Sequence, residues 1–277
     1  MGQQQIILPV ERSLPGFNGV GTGQTASLAL PIGPAYRRLW LNYSGVSLAQ
    51  MTEIRLTANG EVIRRYAAAD LDTINQFDER QAASGQLFLD FERRLLLQRA
   101  AREITALGTG VPGALKATDI RNLVLEVDIA AGIAGTITLS GKADLANPQA
   151  SGLILKTRTY PYSPTAAGGY EIADLPKKGI WSRVYFFSTN VNSVKLELDQ
   201  TVVHDRTAAE NNRIQTDSRI RVPQAGLYVW DATEEGYGGN GLDPIAHSDI
   251  RWTLNMAAAG TVKVVVESLE DPTPYQA

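Results

Sequence analysis

The sequence predicts an all-β fold with a few short helices, built as two tandem β-sandwiches. Three observations predict it. Short runs of β-type residues recur along the 277 residues with turn residues between them. Several of these runs return in the same order in the second half. Gly (25) and Pro (13) are spread along the chain, as many turns require. A length of 277 residues admits one large β domain or two domains of ordinary size, about 100–200 residues each, and the repeat favours two.

The first 25 residues hold Gln3, Gln4, Gln5, Pro9, Pro15 and several glycines, with little periodicity. They read as an extended arm lying on the domain or on a neighbour, or as a frayed terminus. Residues 1–10 lack a basic segment followed by an apolar core, so no secretory signal is expected. Residues 39–43 read as a strand ended by Ser44-Gly45. Residues 53–57 alternate polar and apolar, reach Asn59-Gly60, and resume as a strand over 61–66. Asn-Gly between two such runs signals a hairpin, because both residues tolerate the positive φ of a type I′ turn. Residues 67–81 carry Leu71, Ile74 and Phe77 at helical spacing. Strands are then expected at 86–91, 122–129 and 135–142, while 91–103, a Leu run among Arg residues, fits helix or strand. In the second half, strands are expected at 181–188, 193–199, 201–206, 226–230, 252–256 and 261–267, with a short helix at 208–216.

The halves correspond segment by segment. Arg38 opens an apolar–aromatic strand, as does Arg183. Each is followed by an alternating strand, a short turn, a returning strand and a helix opening, Ala67-Ala68-Ala69-Asp70 against Thr207-Ala208-Ala209-Glu210. Asp119-Ile120-Arg121 recurs as Asp249-Ile250-Arg251. The separation shrinks along the chain, as loops of unequal length within two copies of one fold produce. The join falls in the Pro/Gly/Ser stretch 146–152. This gives an arm over 1–25, a first sandwich over 26–147 and a second over 148–277. Short hairpins with long returns suit sandwiches of jelly-roll type.

The residue inventory is poor in chemistry. Lys plus Arg number 26 against 29 Asp plus Glu, a net charge of −3. A large basic surface, and direct nucleic-acid binding with it, is not expected. Cysteine is absent, which excludes disulfides, thiol nucleophiles and Cys-bound metal. No apolar run approaches the ~20 residues of a transmembrane helix. His204 adjoins Asp205 but has no Gly-x-Ser-x-Gly elbow to serve, and His247-Ser248-Asp249 are neighbours where triad members converge from afar. Both read as satisfied imidazoles. Gly19–23 and Gly236–241 lack a strand–loop–helix context and read as flexible surface loops.

Three features remain. Asp231, Glu234, Glu235 and Asp243, with Asp249, share one Gly-rich connection. Such loops can supply the roughly six to eight oxygens of Ca²⁺, although the spacing is not that of an EF-hand and a solvated loop tip competes. Arg93, Arg94, Arg99 and Arg102 read as an interface or solvated face before a phosphate-binding one. Tyr160, Tyr162, Tyr228, Trp230 and Tyr237 could stack on sugars or belong to core and interfaces.

Leu30-Pro31-Ile32-Gly33 with Tyr36, then Tyr43-Ser44-Gly45-Val46 and the Asn59-Gly60 hairpin, and in the second half Glu171-Ile172-Ala173-Asp174-Leu175-Pro176, carry a resemblance. In these residues and their spacing the sequence resembles the double-jelly-roll major capsid proteins of corticoviruses, tailless icosahedral bacteriophages with an internal membrane. The likeness runs from about residue 28 to 267 and lapses in the arm and over 207–250. It implies a structural protein with no catalytic residues and no cofactor, part of the virion capsid and assembled in the bacterial host cytoplasm. It implies a homotrimer whose six jelly rolls form a pseudo-hexagonal capsomer. The implied partners are neighbouring capsomers, vertex or membrane-associated virion proteins and the internal membrane surface, with no direct nucleic acid. A two-domain viral receptor- or carbohydrate-binding sandwich is the alternative; a β-sandwich hydrolase is disfavoured by the inventory.

Overall fold

The computed structural model describes residues 10–273. The first unit has strands β1 (Val10–Ser13), β2 (Thr25–Ala29), β3 (Ala35–Ser44), β4 (Met51–Ala58), β5 (Glu61–Tyr66), β6 (Gln86–Asp90), β7 (Leu123–Ile129) and β8 (Thr138–Ala146). Helix α1 (Ala68–Phe77) joins β5 to β6, and a single turn, α2 (Arg99–Glu103), lies between β6 and β7. The second unit has β9 (Ile154–Tyr162), β10 (Gly168–Ile172), β11 (Ile180–Phe187), β12 (Val191–Leu198), β13 (Thr201–Thr207), β14 (Leu227–Asp231), β15 (Ile250–Met256) and β16 (Val262–Glu270). Helix α3 (Ala208–Asp217) joins β13 to β14.

The two units are wired alike. The first makes sheets β1-β8-β3-β6 and β2-β7-β4-β5; the second makes β9-β16-β11-β14 and β10-β15-β12-β13. Adding eight to every strand number of the first unit reproduces the second. All pairs are antiparallel, and within each unit the first strand pairs with the last, the second with the seventh and the fourth with the fifth. This nested pairing is the jelly roll, so the molecule is a double jelly roll.

Local chemistry explains most elements. Along β7, Leu123, Leu125, Val127 and Ile129 are buried and the residues between them half-buried, the period of two that a sheet imposes. Asn59 and Gly60 both have positive φ, as the hairpin signal requires, and Asp199-Gln200 make the same turn in the second unit. Pro161 is tolerated in β9 because that strand forms an edge of its sheet. The helix expected over 67–81 stops at Phe77, where Asp78 caps it and Glu79 turns to positive φ. Residues 91–103 form neither one helix nor one strand. Leu95 at positive φ breaks the run, and the Arg93 N–H bonds the Arg102 carbonyl, leaving only α2 helical. The strand expected over 135–142 is displaced to β8, and β1, β2, β9 and β10 are additional. Residues 10–13 of the expected arm are strand β1, paired with β8; its first nine residues lie outside the described residues.

Strands β11 and β16 are buried on nearly every residue, unlike their alternating neighbours. Val184 and Phe186 point into the second unit's core with Trp181 and Trp252. Tyr185, Leu227, Val229 and Val265 point the other way and join the core of the first unit. One face of β9-β16-β11-β14 is therefore the floor of a seam between the units.

Candidate assembly surfaces

The seam is built around a buried arginine ladder. Arg183 on β11 stands in register with Asp231 on β14 and Glu267 on β16. Its Nε lies 3.4 Å from Asp231 and 3.8 Å from Glu267, and its Nη1 donates to Asp78 of the first unit at 3.0 Å. Arg221, fully buried, reaches Asp231 at 2.6 Å and Asp78 at 3.3 Å. Thr233 donates its N–H and hydroxyl to the same Asp231 carboxylate, both at 2.7 Å. Burial alone would raise the Asp231 carboxyl, but Arg221 and Arg183 outweigh it and hold the pKa at about 2. For Glu267 burial wins, and its carboxyl is pushed up despite Arg183 and Arg64.

Around this ladder the units touch through several elements. The Phe77 ring meets Tyr185 edge to face at 6.5 Å, and the Phe77 carbonyl accepts from Val222 N at 2.9 Å. Asp70 of α1 pairs with Lys263, and Lys156 with Glu61 at 2.7 Å. Arg158 and Lys156 outweigh burial to hold the Glu270 carboxyl at about 2. The Gly-rich segment after β14 belongs to the seam and is not a flexible surface loop. The Leu97 N–H donates to the Gly236 carbonyl at 3.0 Å, and a Cβ on Gly238 would stand 2.6 Å from that of Ala101.

The same ladder recurs on the first unit. Arg38 on β3 stands in register with Asp90 on β6 and Asp144 on β8, at 3.1 and 3.5 Å. Arg80, just after α1, binds Asp90 at 2.6 Å, as Arg221, just after α3, binds Asp231. Asn75 of α1 donates to the Phe88 carbonyl and Gln215 of α3 to the Val229 carbonyl. Phe88 and Val229 occupy the same register position, opposite Trp40 and Tyr185. The difference is cover: the second ladder is buried beneath the first unit, whereas the Arg38 side chain keeps 35% of its surface exposed.

The acidic loop is dispersed. Asp231 is enclosed by arginines, Glu234 pairs with Arg206 at 2.9 Å, Asp243 caps a 3-10 turn through Ile245 N, and Glu235 is exposed. Among the described residues no group of three or more His, Asp or Glu side chains is arranged to hold a metal ion. His204 is buried against Tyr228 at 2.7 Å, and His247 clasps Asp199 at 2.8 Å. Of the Arg run, Arg93 is buried at the seam, Arg94 donates to the Asp78 carbonyl, and Arg99 pairs with Glu103 of its own turn. Tyr228 is buried and Trp230 packs on Trp252, so the aromatics form no common exposed platform. Asp78, Arg221, Asp90 and the acidic partners on β8 and β16 escape the sequence reading, although the Arg38–Arg183 correspondence marks the centre of each ladder.

Comparison with known proteins agrees with this architecture. The N-terminal-domain model of viral coat protein P2 matches residues 11–146, and the C-terminal-domain model matches residues 154–272. The chain is 23% identical over 274 residues to the major capsid protein P2 of Pseudoalteromonas phage PM2, covering 92% of this chain and 94% of that protein. The crystal structure of the bacteriophage PM2 protein superposes with a TM-score of 0.87 at 22% identity, over 96% of this chain and 98% of that one. A chain from the atomic structure of Sulfolobus Turreted Icosahedral Virus gives a TM-score of 0.69 at 13% identity, over 95% and 91%. With both jelly rolls matched in tandem and in order, the chain belongs to the viral coat protein P2 family.

Proposed function

We propose that the chain is the major capsid protein of a tailless, icosahedral bacteriophage with an internal membrane, and that three copies form a pseudo-hexagonal capsomer. It is a structural protein and not an enzyme, as its family implies. The observation that carries the reading is the identical wiring of the two units. Two like units per chain turn a threefold assembly into an object with six similar edges, which suits closed-shell packing. The partners are neighbouring capsomers, vertex or membrane-associated virion proteins and the internal membrane surface. The mildly acidic chain, at a net charge of −3, has no call for direct contact with the genome. Assembly takes place in the bacterial host cytoplasm. Light scattering on the purified chain tests the reading, with a mass of three chains expected; electron microscopy of assembled particles should show pseudo-hexagonal capsomers. A chain that is monomeric at micromolar concentration and captures glycans would overturn it.

A further inference from the structure

The ladder of the second unit has a guest, and that of the first has none among the described residues. In the second unit, the C-terminal end of α1 fills the space beside the ladder. Phe77 lies under the Arg221 guanidinium at 5.7 Å, its carbonyl accepts from Val222 N, and the next residue, Asp78, binds both Arg183 and Arg221. In the first unit the matching space is an open hollow of about 350 Å³, lined in part by Arg80, Gln81, Gln86 and Phe88. The hollow, whose lining also holds Glu79 and Arg94, adjoins the Arg38–Asp90–Asp144 ladder through Arg80, which binds Asp90 at 2.6 Å.

The counterpart of α1 is α3. Both have ten residues, both follow the fifth strand of their unit, and both are followed by a residue of positive φ, Glu79 and Arg219. Asp217 of α3 matches Phe77 and Ser218 matches Asp78. Yet this end of α3 meets solvent, with the Asp217 side chain 73% exposed and, among the described residues, paired with Arg213 at 3.9 Å, itself 84% exposed. Ile214, which matches the buried Ile74, is also exposed. The described residues thus present an open hollow beside Arg80 and Arg94 and an exposed acidic helix end, placed like the two sides of the contact that the units make internally.

We infer that the outer face of β1-β8-β3-β6, at Arg38, Arg80 and Phe88, receives the C-terminal end of α3 from a second copy of this chain. The contact is heterologous, since different surfaces meet, and a heterologous contact whose rotation is one third of a turn closes a ring of three. The Asp217 carbonyl takes the Gln81 N–H as the Phe77 carbonyl takes that of Val222, and the Asp217 carboxylate, one residue before the Asp78 position that Ser218 holds, supplies the negative charge toward Arg80 and Arg38. This rests on the trimer reading and names the surface that would form it.

The absence of cysteine makes a clean test possible. Residues whose backbones share a hydrogen bond, like Phe77 and Val222 at 2.9 Å, bring their Cα atoms within the ~4.4–6.8 Å of a disulfide. Gln81 and Asp217 are both exposed, so replacing them leaves the cores intact. The full-length double variant Gln81→Cys/Asp217→Cys should give covalent dimers and trimers on mild oxidation, reversed by reductant. Each single variant should give only the baseline. Asp217→Lys should lower the trimer fraction at least tenfold near the dissociation midpoint without moving the far-ultraviolet circular dichroism. A stable trimer whose double variant does not cross-link, and which Asp217→Lys leaves intact, would overturn this surface and leave the trimer reading standing. A wild-type chain that is monomeric throughout would overturn both.

Discussion

Asp231 is the residue on which the seam's electrostatics turn. It is buried with Arg221 and Arg183, and removing one member of such a group leaves uncompensated charge in the interior. Asp231→Ala should cost about 3–5 kcal/mol in denaturant unfolding, and calcium should not restore it. Because the folded carboxyl sits at about 2, below its ordinary value of 3.8, the contribution of Asp231 is present above 3.8 and fades as pH falls toward 2. His204 gives a second acid response at higher pH. Burial, with Arg206 nearby, lowers the imidazole from 6.5 to about 4. The folded state resists the proton that the unfolded chain accepts, so stability is full above 6.5 and declines as pH falls toward 4. Between pH 7.5 and 5 the loss should be about 1–2 kcal/mol. Glu267, whose carboxyl is raised, acts with the opposite sign as the pH falls. The reading is therefore the difference between wild type and His204→Gln in pH-dependent melts; equal slopes would remove the assignment.

At the level of elements, the two equivalent helices are secured in different ways. Helix α3 carries a full capping box, with the Thr207 hydroxyl accepting from Glu210 N and the Glu210 carboxylate accepting from Thr207 N. Helix α1 begins at Ala67, which offers no side-chain cap. It is held by packing on both sides, through Leu71, Ile74 and Phe77 in the core and Asp70 and Asp78 across the seam. Thr207→Ala should therefore cost about 1 kcal/mol of stability, with faster amide exchange confined to 208–217. The same contrast shows what the sequence could disclose. Helical spacing, the Asn59-Gly60 turn and the alternation of β7 are local signals and were legible. The repeat was legible too, down to Arg38 matching Arg183. The ladders were not, because Asp90 and Asp144 lie far from Arg38 in sequence and acquire meaning only through strand register. The Gly-rich segment read as a loose loop for a like reason: the close neighbours of Gly238 come from the other unit.

For the whole molecule, the seam decides whether two jelly rolls behave as one body. Tyr185, Val229 and Val265 belong by chain to the second unit and by packing to the first unit's core. Unfolding either unit alone would expose that apolar face together with the paired arginines and carboxylates beneath it, so the units should unfold together. Calorimetry of dilute protein should give a single transition with matching calorimetric and van't Hoff enthalpies. Gly238 provides a way to loosen the seam without entering either core. Its backbone lies outside the left-handed region, so a side chain there meets a steric obstacle only: an added Cβ would stand 2.6 Å from Ala101 Cβ and 2.8 Å from Leu96 Cδ1. Gly238→Val must push the segment after β14 off α2, at about 1–3 kcal/mol. Both sandwiches keep their own sheets, so the expected result is a broadened or divided transition and faster proteolysis within 232–249, with the strand content unchanged. Two well-separated transitions in the wild-type chain would show that the seam does not couple the units, and an unaltered transition in Gly238→Val would show that this loop contact is not what couples them.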